Sequence, residues 1–189
     1  MATIKRIGFG QVEPNHLSAQ RTAQIYAQLP AAADLEILEN GQFVKYDYAN
    51  RECNLTGKGE WMMVFNEVKL YDTWRETYKD FAMQKENYTP GSNDITHNGL
   101  GPFKGQMTPR VIKINVGDIW TTNALGTGNT NGKASVDTNV EKEELLGKSL
   151  KVGTNGFLQL GNDDEFELQV VQVYTMADGQ DAVKVMRIK

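Results

Sequence analysis

The chain carries two histidines, one cysteine and four serines. These are the groups from which nucleophilic or metal chemistry would have to be built. His16 and His97 stand far apart, and no paired Cys/His spacing accompanies them, whereas a zinc site needs three or four ligands. Ser18, Ser92, Ser135 and Ser149 lie in no G-x-S-x-G elbow of the kind that exposes a hydroxyl for attack. Cys53 with a distant histidine is arithmetically possible as a nucleophile pair, but nothing near it in sequence would activate a thiol, so it reads as inert. A lone cysteine also excludes an internal disulfide framework.

The glycine-rich run Gly126-Thr127-Gly128-Asn129-Thr130-Asn131-Gly132-Lys133 invites comparison with a phosphate loop. From Gly128 to Gly132 it is one residue short of G-x-x-x-x-G-K-[ST], and Ala134 stands where a hydroxyl would reach the metal. As a dinucleotide loop it has Asn131 at the third glycine position. It is expected to be an exposed, flexible loop. Asp163, Asp164 and Glu165 cluster at a turn, without the full calcium-loop pattern. Carboxylates that meet in space rather than in sequence leave a glycosidase-like pair open. Trp61, Trp74 and Trp120 could stack on sugar rings. Trp61 and Trp74 sit in apolar patterns that suit a core, and Trp120 follows a turn. No cofactor, metal or catalytic constellation emerges, and the chain is read as not an enzyme.

The elements that would position these residues are mostly strands. Arg110 to Leu125 is the central stretch. Ile112, Ile114 and Val116 alternate with Val111, Lys113 and Asn115, the period of a strand with one buried face. Gly117-Asp118 breaks it, and Ile119 to Thr122 resumes it. Asn40-Gly41 signals a hairpin between LEIL and QFVKYDY. Trp61 to Phe65 reads as a strand buried on both faces. Leu150 to Val152 and Phe157 to Leu160 flank a turn at Asn155-Gly156. In Glu165 to Tyr174, Phe166, Leu168 and Val170 share a face, and Val171 and Val173 imply a bulge that switches it. Asp178-Gly179 turns into a C-terminal strand over 182–188.

Thr22 to Leu29 alternates as a strand would, although Ser18 could cap a helix there. Leu70, Trp74, Tyr78 and Phe81 recur at helical spacing, which predicts a helix over 72–83. Val140 to Leu146 suits two helical turns closed by Gly147. Residues 84–108 read as a long loop.

Roughly nine or ten short strands with turns between them make the expected fold mainly β. It would be an antiparallel β-barrel or sandwich with one or two short helices and an extended N-terminal arm. Residues 1–34 form the arm and first element, and 35–189 the β-rich body. The 189 residues are 23% charged and 40% hydrophobic, ordinary for a globular chain. A net charge of −4 weighs against general nucleic-acid binding. No apolar run of about 18 residues is present, so no membrane span is expected. MATIKRIGFG lacks the apolar core of a secretory signal.

Five segments together resemble auxiliary capsid proteins of tailed bacteriophages, which decorate or cement the head shell. They are residues 1–30, then LENGQFVKYDYA, GEWMMVFNEVKLYD, PRVIKINVGDIWTTNAL and YTMADGQDAVKVMRIK, in the expected order over about two thirds of the chain. The resemblance implies a structural virion protein on the capsid surface, assembled in the host bacterial cytoplasm. Its partners would be the major capsid protein and other copies of itself, with no nucleic acid and no membrane. It also implies an arm lying along the capsid. Ile4, Ile7, Phe9, Val12 and Leu17 are too few to form a core of their own, and they are the expected capsid-binding residues. The alternative is a carbohydrate- or receptor-binding β-sandwich module of a phage tail or cell-surface protein.

Overall fold

In a computed structural model of the chain, the described residues are 9–66, 82–84, 107–126, 128–130, 133–135, 142–177 and 179–189. Fifteen short strands and two single-turn helices occur among them. The larger sheet has six strands: β1 (Val12–His16), β9 (Ile119–Thr122), β15 (Asp181–Arg187), β14 (Glu167–Thr175), β12 (Ser149–Val152) and β13 (Leu158–Leu160), in that spatial order. The second sheet runs β2 (Ile25–Tyr26), β8 (Val111–Lys113), β6 (Glu60–Val64), β4 (Phe43–Asp47), β5 (Glu52–Asn54). Two ribbons complete it, β3 (Ile37–Glu39) with β7 (Ala82–Gln84), and β10 (Gly128–Thr130) with β11 (Lys133–Ser135). Strand pairing is antiparallel throughout these sheets. The fold is therefore mainly β, as the turn-punctuated alternation predicts.

The two sheets pack face to face. Phe43, Met63, Ile112 and Ile114 from one side meet Trp120, Leu150, Leu168, Val183 and Val185 from the other in one buried cluster. The opposite face of the five-stranded sheet buries Val44, Tyr46, Met62, Val64 and Val111 against Leu38 and Met107. That sheet is thus a middle layer with apolar side chains on both faces. Two-sided burial explains why Met62-Met63-Val64 is continuous rather than alternating.

Double burial also corrects the reading of the central stretch. Ile112 and Ile114 are buried as expected, but Val111 on the supposed wet face is fully buried too, and Val116 is 65% exposed. Strands β8 and β9 belong to different sheets, and the turn at Asn115–Asp118 carries the chain between them.

The turn at Asn40-Gly41 exists, with Gly41 at φ +85°. The strands it joins do not form a hairpin, because β3 pairs with β7 while β4 pairs with β5 and β6. In the glycine-rich run, strands β10 and β11 pair with each other. Residues 128–130 of that run are therefore strand where a loop was expected. Thr22–Leu29 divides: helix α1 (Ser18–Arg21) precedes it, Ala23 takes φ +55°, and only Ile25–Tyr26 is strand. Of the expected helix over 72–83, Ala82 and Met83 are strand residues paired with Glu39 and Leu38. The remainder, with Trp74 and most of the loop over 84–108, lies outside the described residues.

Two expectations in the C-terminal half hold and a third holds in part. Of the two helical turns expected over 140–146, one 3₁₀ turn at Lys142–Leu145 is present, ended by Gly147 at φ +76°, and residues 140–141 lie outside the described residues. β12 and β13 pair across Asn155-Gly156. The register of β14 against β15 shifts between Val170 and Gln172, at the expected bulge.

Candidate functional site

The N-terminal segment divides between body and surface. Ile4 and Ile7 lie outside the described residues. Val12 begins β1, which pairs with β9 from Val12↔Thr122 to His16↔Ile119. Its side chain packs half-buried against the inter-sheet core, and Leu17 is 4% exposed within that core. Phe9 is half-buried, and its carbonyl accepts from Asn123 Nδ2. Further bonds tie the segment down. The Gly10 amide donates to the buried Glu39 carboxylate. The Gln11 amide donates to Asn123 Oδ1 at 2.7 Å, and Thr122 Oγ1 donates to the Gln11 carbonyl at 2.9 Å.

The expected boundary at residue 34 is therefore crossed by strand pairing, since β1 and β2 are members of the two sheets. Residues 9–17 are part of the body. The physical reason is that an edge strand needs only one partner, and β9 supplies it. What faces outward is the rest of β1: Glu13, Pro14, Asn15 and His16 are exposed.

A cleft opens at one end of the sandwich, where the two sheets diverge. It encloses about 330 Å³ and is lined by Lys45, Glu60 and Trp61 of the five-stranded sheet, by Lys58 and Gly59 of the connection between β5 and β6, and by Glu165, Phe166 and Arg187 from the six-stranded side. Lys45 and Trp61 are direct cross-strand partners. The lysine ammonium lies 4.6 Å from the indole centroid. Opposite them the Arg187 guanidinium stacks 4.3 Å from the Phe166 ring. It donates to the carbonyls of Ile114, Glu165 and Lys189. Burial lowers the pKa of Arg187 from its ordinary value.

The acidic groups around the cleft are largely engaged. Glu60 Oε2 accepts from Lys113 Nζ at 2.9 Å. Asp163 Oδ1 accepts from the Phe166 and Glu165 amides at 2.8 and 2.9 Å, which holds its carboxyl below the usual range. It is thus the cap of a turn, which accounts for the Asp163-Asp164-Glu165 cluster. Asp47 accepts from the Asn50 and Ala49 amides in the same manner.

Trp120 is fully buried in the inter-sheet core, which removes it as a surface for a sugar. Cys53 is fully buried and its thiol is pushed up to about 12 by burial. Among the described residues no three His, Cys, Asp or Glu side chains gather at metal-binding distance. No helix among them is long and apolar enough to cross a membrane.

The cleft was not found from sequence. A partial signal lay in β15, where Arg187 continues the Val183, Val185 alternation, whereas Lys45 stands between two apolar residues, Val44 and Tyr46, and gave none. No protein-family model, no curated protein and no solved structure matches this chain.

Proposed function

We propose that the chain is a structural protein of a tailed-phage particle that binds the major capsid protein and decorates or stabilises the head shell. The observation that supports this most is the position of β1. It pairs with β9 on one side and, among the described residues, has no strand on the other. It bears four exposed side chains. The segment leading into it carries Ile4 and Ile7. An edge strand with an apolar segment entering it is the ordinary starting point for strand addition to a partner. Pro14 within β1 removes one ladder donor, which limits indiscriminate pairing along the same edge. The resemblance of five segments to auxiliary capsid proteins supports the same reading.

The reading is tested on purified particles. The chain co-purifies with heads in a fixed ratio, and antibody against it labels the head in electron micrographs. Particles that lack the chain overturn the proposal. Removing residues 1–8 leaves a folded body by circular dichroism and lowers binding to undecorated heads at least about tenfold, or ~1.4 kcal/mol. Unchanged binding moves the capsid contact off the arm. A deletion of 1–17 is not an equivalent test, because it also removes β1 and the buried Leu17.

The carbohydrate-binding alternative draws on Trp61 in the cleft. A sugar-array hit abolished by Trp61→Ala supports that alternative.

A further inference from the structure

The inward-facing rows of both sheets change character at the cleft. On β4 the row runs Phe43, Lys45, Asp47. On β6, paired Phe43↔Met63 and Lys45↔Trp61, it runs from Met63 to Trp61. On β15 it runs Val183, Val185, Arg187. Phe43, Met63, Val183 and Val185 belong to the inter-sheet core. One step further along each row stand a lysine, a tryptophan and an arginine. Strands β4, β6 and β15 are interior members of their sheets. These inward charges are therefore not the edge guards that discourage sheet-to-sheet pairing.

Lys45 and Arg187 are held in place, and neither is paired with an acidic side chain among the described residues. Arg187 donates to the backbone carbonyls of Ile114 and Glu165 and to the main-chain oxygen of Lys189, and to no acidic side chain among the described residues. Lys45 rests on the Trp61 ring, and Lys58 is exposed at the rim. Among the described residues none of the three makes an ion pair. The nearby carboxylates are engaged elsewhere: Glu60 with Lys113, Asp47 with Asn50 and Ala49, Asp163 with its turn amides. Asp163 also feels Lys151 and Lys45 electrostatically, and Arg187 feels Glu60 and Asp118. Glu165 is exposed at the rim. Two positioned cations and the exposed Lys58 in one cleft, on a chain of net charge −4, form a local positive site.

We infer that this cleft receives carboxylate side chains from an acidic peptide segment of a partner protein. Lysine and arginine in a partly desolvated pocket bind carboxylates through charge-assisted hydrogen bonds. Two further features favour a peptide over the other anions. A sugar acid would use a free aromatic face, but Lys45 lies over Trp61, and Phe166 is 3% exposed beneath Arg187. A polyphosphate backbone would bring dense negative charge against Glu60 and Glu165 at the rim. Carboxylates spaced along a peptide can reach the three cations and leave those rim groups in water. The site is separate from β1, and the inference holds whether or not the partner is a capsid protein.

The test is isothermal titration of the full chain with an end-blocked hexaglutamate peptide. Hexaglutamine, a galacturonate trisaccharide and inorganic phosphate serve as the comparison arms. Hexaglutamate binds saturably and hexaglutamine does not, and binding weakens as salt is raised. Lys58→Gln weakens it several-fold, and the double variant Lys45→Gln/Lys58→Gln by at least about tenfold. Both variants melt within a few degrees of the parent, because neither lysine carries a buried ion pair. The inference is overturned by the absence of saturable binding, by equal binding of hexaglutamine, or by an undiminished double variant. Tighter binding of the trisaccharide or of phosphate also overturns it and reassigns the cleft to that ligand.

Discussion

The buried carboxylate of Asp118 accepts a hydrogen bond from the backbone amide of Ser18, 100 residues earlier in the chain, at 2.9 Å. Its other oxygen accepts from the Asn115 amide at 2.8 Å. One side chain thus closes the turn between the two sheets and satisfies the first amide of α1. Asn115 Nδ2 reinforces the junction by donating to Ser18 Oγ and Gln24 Oε1 at 2.9 and 3.1 Å. Asp118→Ala leaves two part-buried amides without these acceptors. Its expected cost is about 2–4 kcal/mol, read as a lower urea midpoint at unchanged slope. A shift below about 0.5 kcal/mol would mean that water replaces the carboxylate there.

Strand β8 distinguishes one-sided from two-sided burial. Ile114→Asp and Val111→Asp each place an unpaired charge in a different core, and each is expected to cost several kcal/mol, on the order of 3–5. Lys113→Asp is milder, since Lys113 is only half-buried and its partner Glu60 is exposed. Thermal melts of the three variants separate the cases. A Val111→Asp melt close to that of Lys113→Asp would contradict the middle-layer arrangement.

Two glycines share a left-handed backbone but not a setting. Gly117, at φ +90°, has open space where a Cβ would stand. Gly117→Ala therefore costs only the conformational term, about 1 kcal/mol. Gly156, at φ +80°, would place a Cβ 2.2 Å from the Phe43 carbonyl oxygen. The Phe43 amide donates to the Gly156 carbonyl at 2.7 Å, so neither backbone can retreat without losing that bond. Gly156→Ala is expected to cost about 2–4 kcal/mol and to exceed Gly117→Ala in any equilibrium denaturation series.

Cys53 predicts an alkaline limit. Burial, with a smaller contribution from the Glu52 charge, raises its thiol from 9.0 to about 12. The folded chain holds that proton more tightly than the unfolded one. The stabilisation from this group is complete below pH 9 and is lost as pH rises from 9 towards about 12. Cys53→Ala removes this part of the alkaline decline. A disulfide reagent at pH 8 labels the native protein only at the rate of its opening, and fast labelling would place the thiol at the surface.

Legibility from sequence followed the range of the interactions involved. The turns at Gly147, Gly156 and Gly179 and the bulge near Val171 were readable because each is set by a few adjacent residues. Partner choice was not. Asn40-Gly41 reads locally as a hairpin, yet Gly41 would meet Thr122 and Ala124 if it carried a Cβ, and its amide donates to Val64. Contacts from two distant segments decide where the flanking strands go. The arm was misjudged for the same reason: nothing within 1–17 announces that β9 needs an edge partner. At the cleft, Lys45 in FVKYD resembles an ordinary outward lysine. Only the second core, which claims Val44 and Tyr46, turns Lys45 inward with Phe43.

The order of strands in the larger sheet bears on how the protein is made. β15, the last of the described strands in sequence, lies between β9 and β14, and β9 in turn holds β1. A nascent chain emerging from the ribosome can form the five-stranded sheet once β8 is out. It cannot join the two halves of the six-stranded sheet until residues 181–187 are free. Until then β9 and β14 each present an unfilled edge beside exposed core residues, the condition in which nascent β-proteins stick to one another. This sheet is therefore completed only after β15 has left the ribosome, and a chain cut short before β15 is left with two open edges and no way to close them.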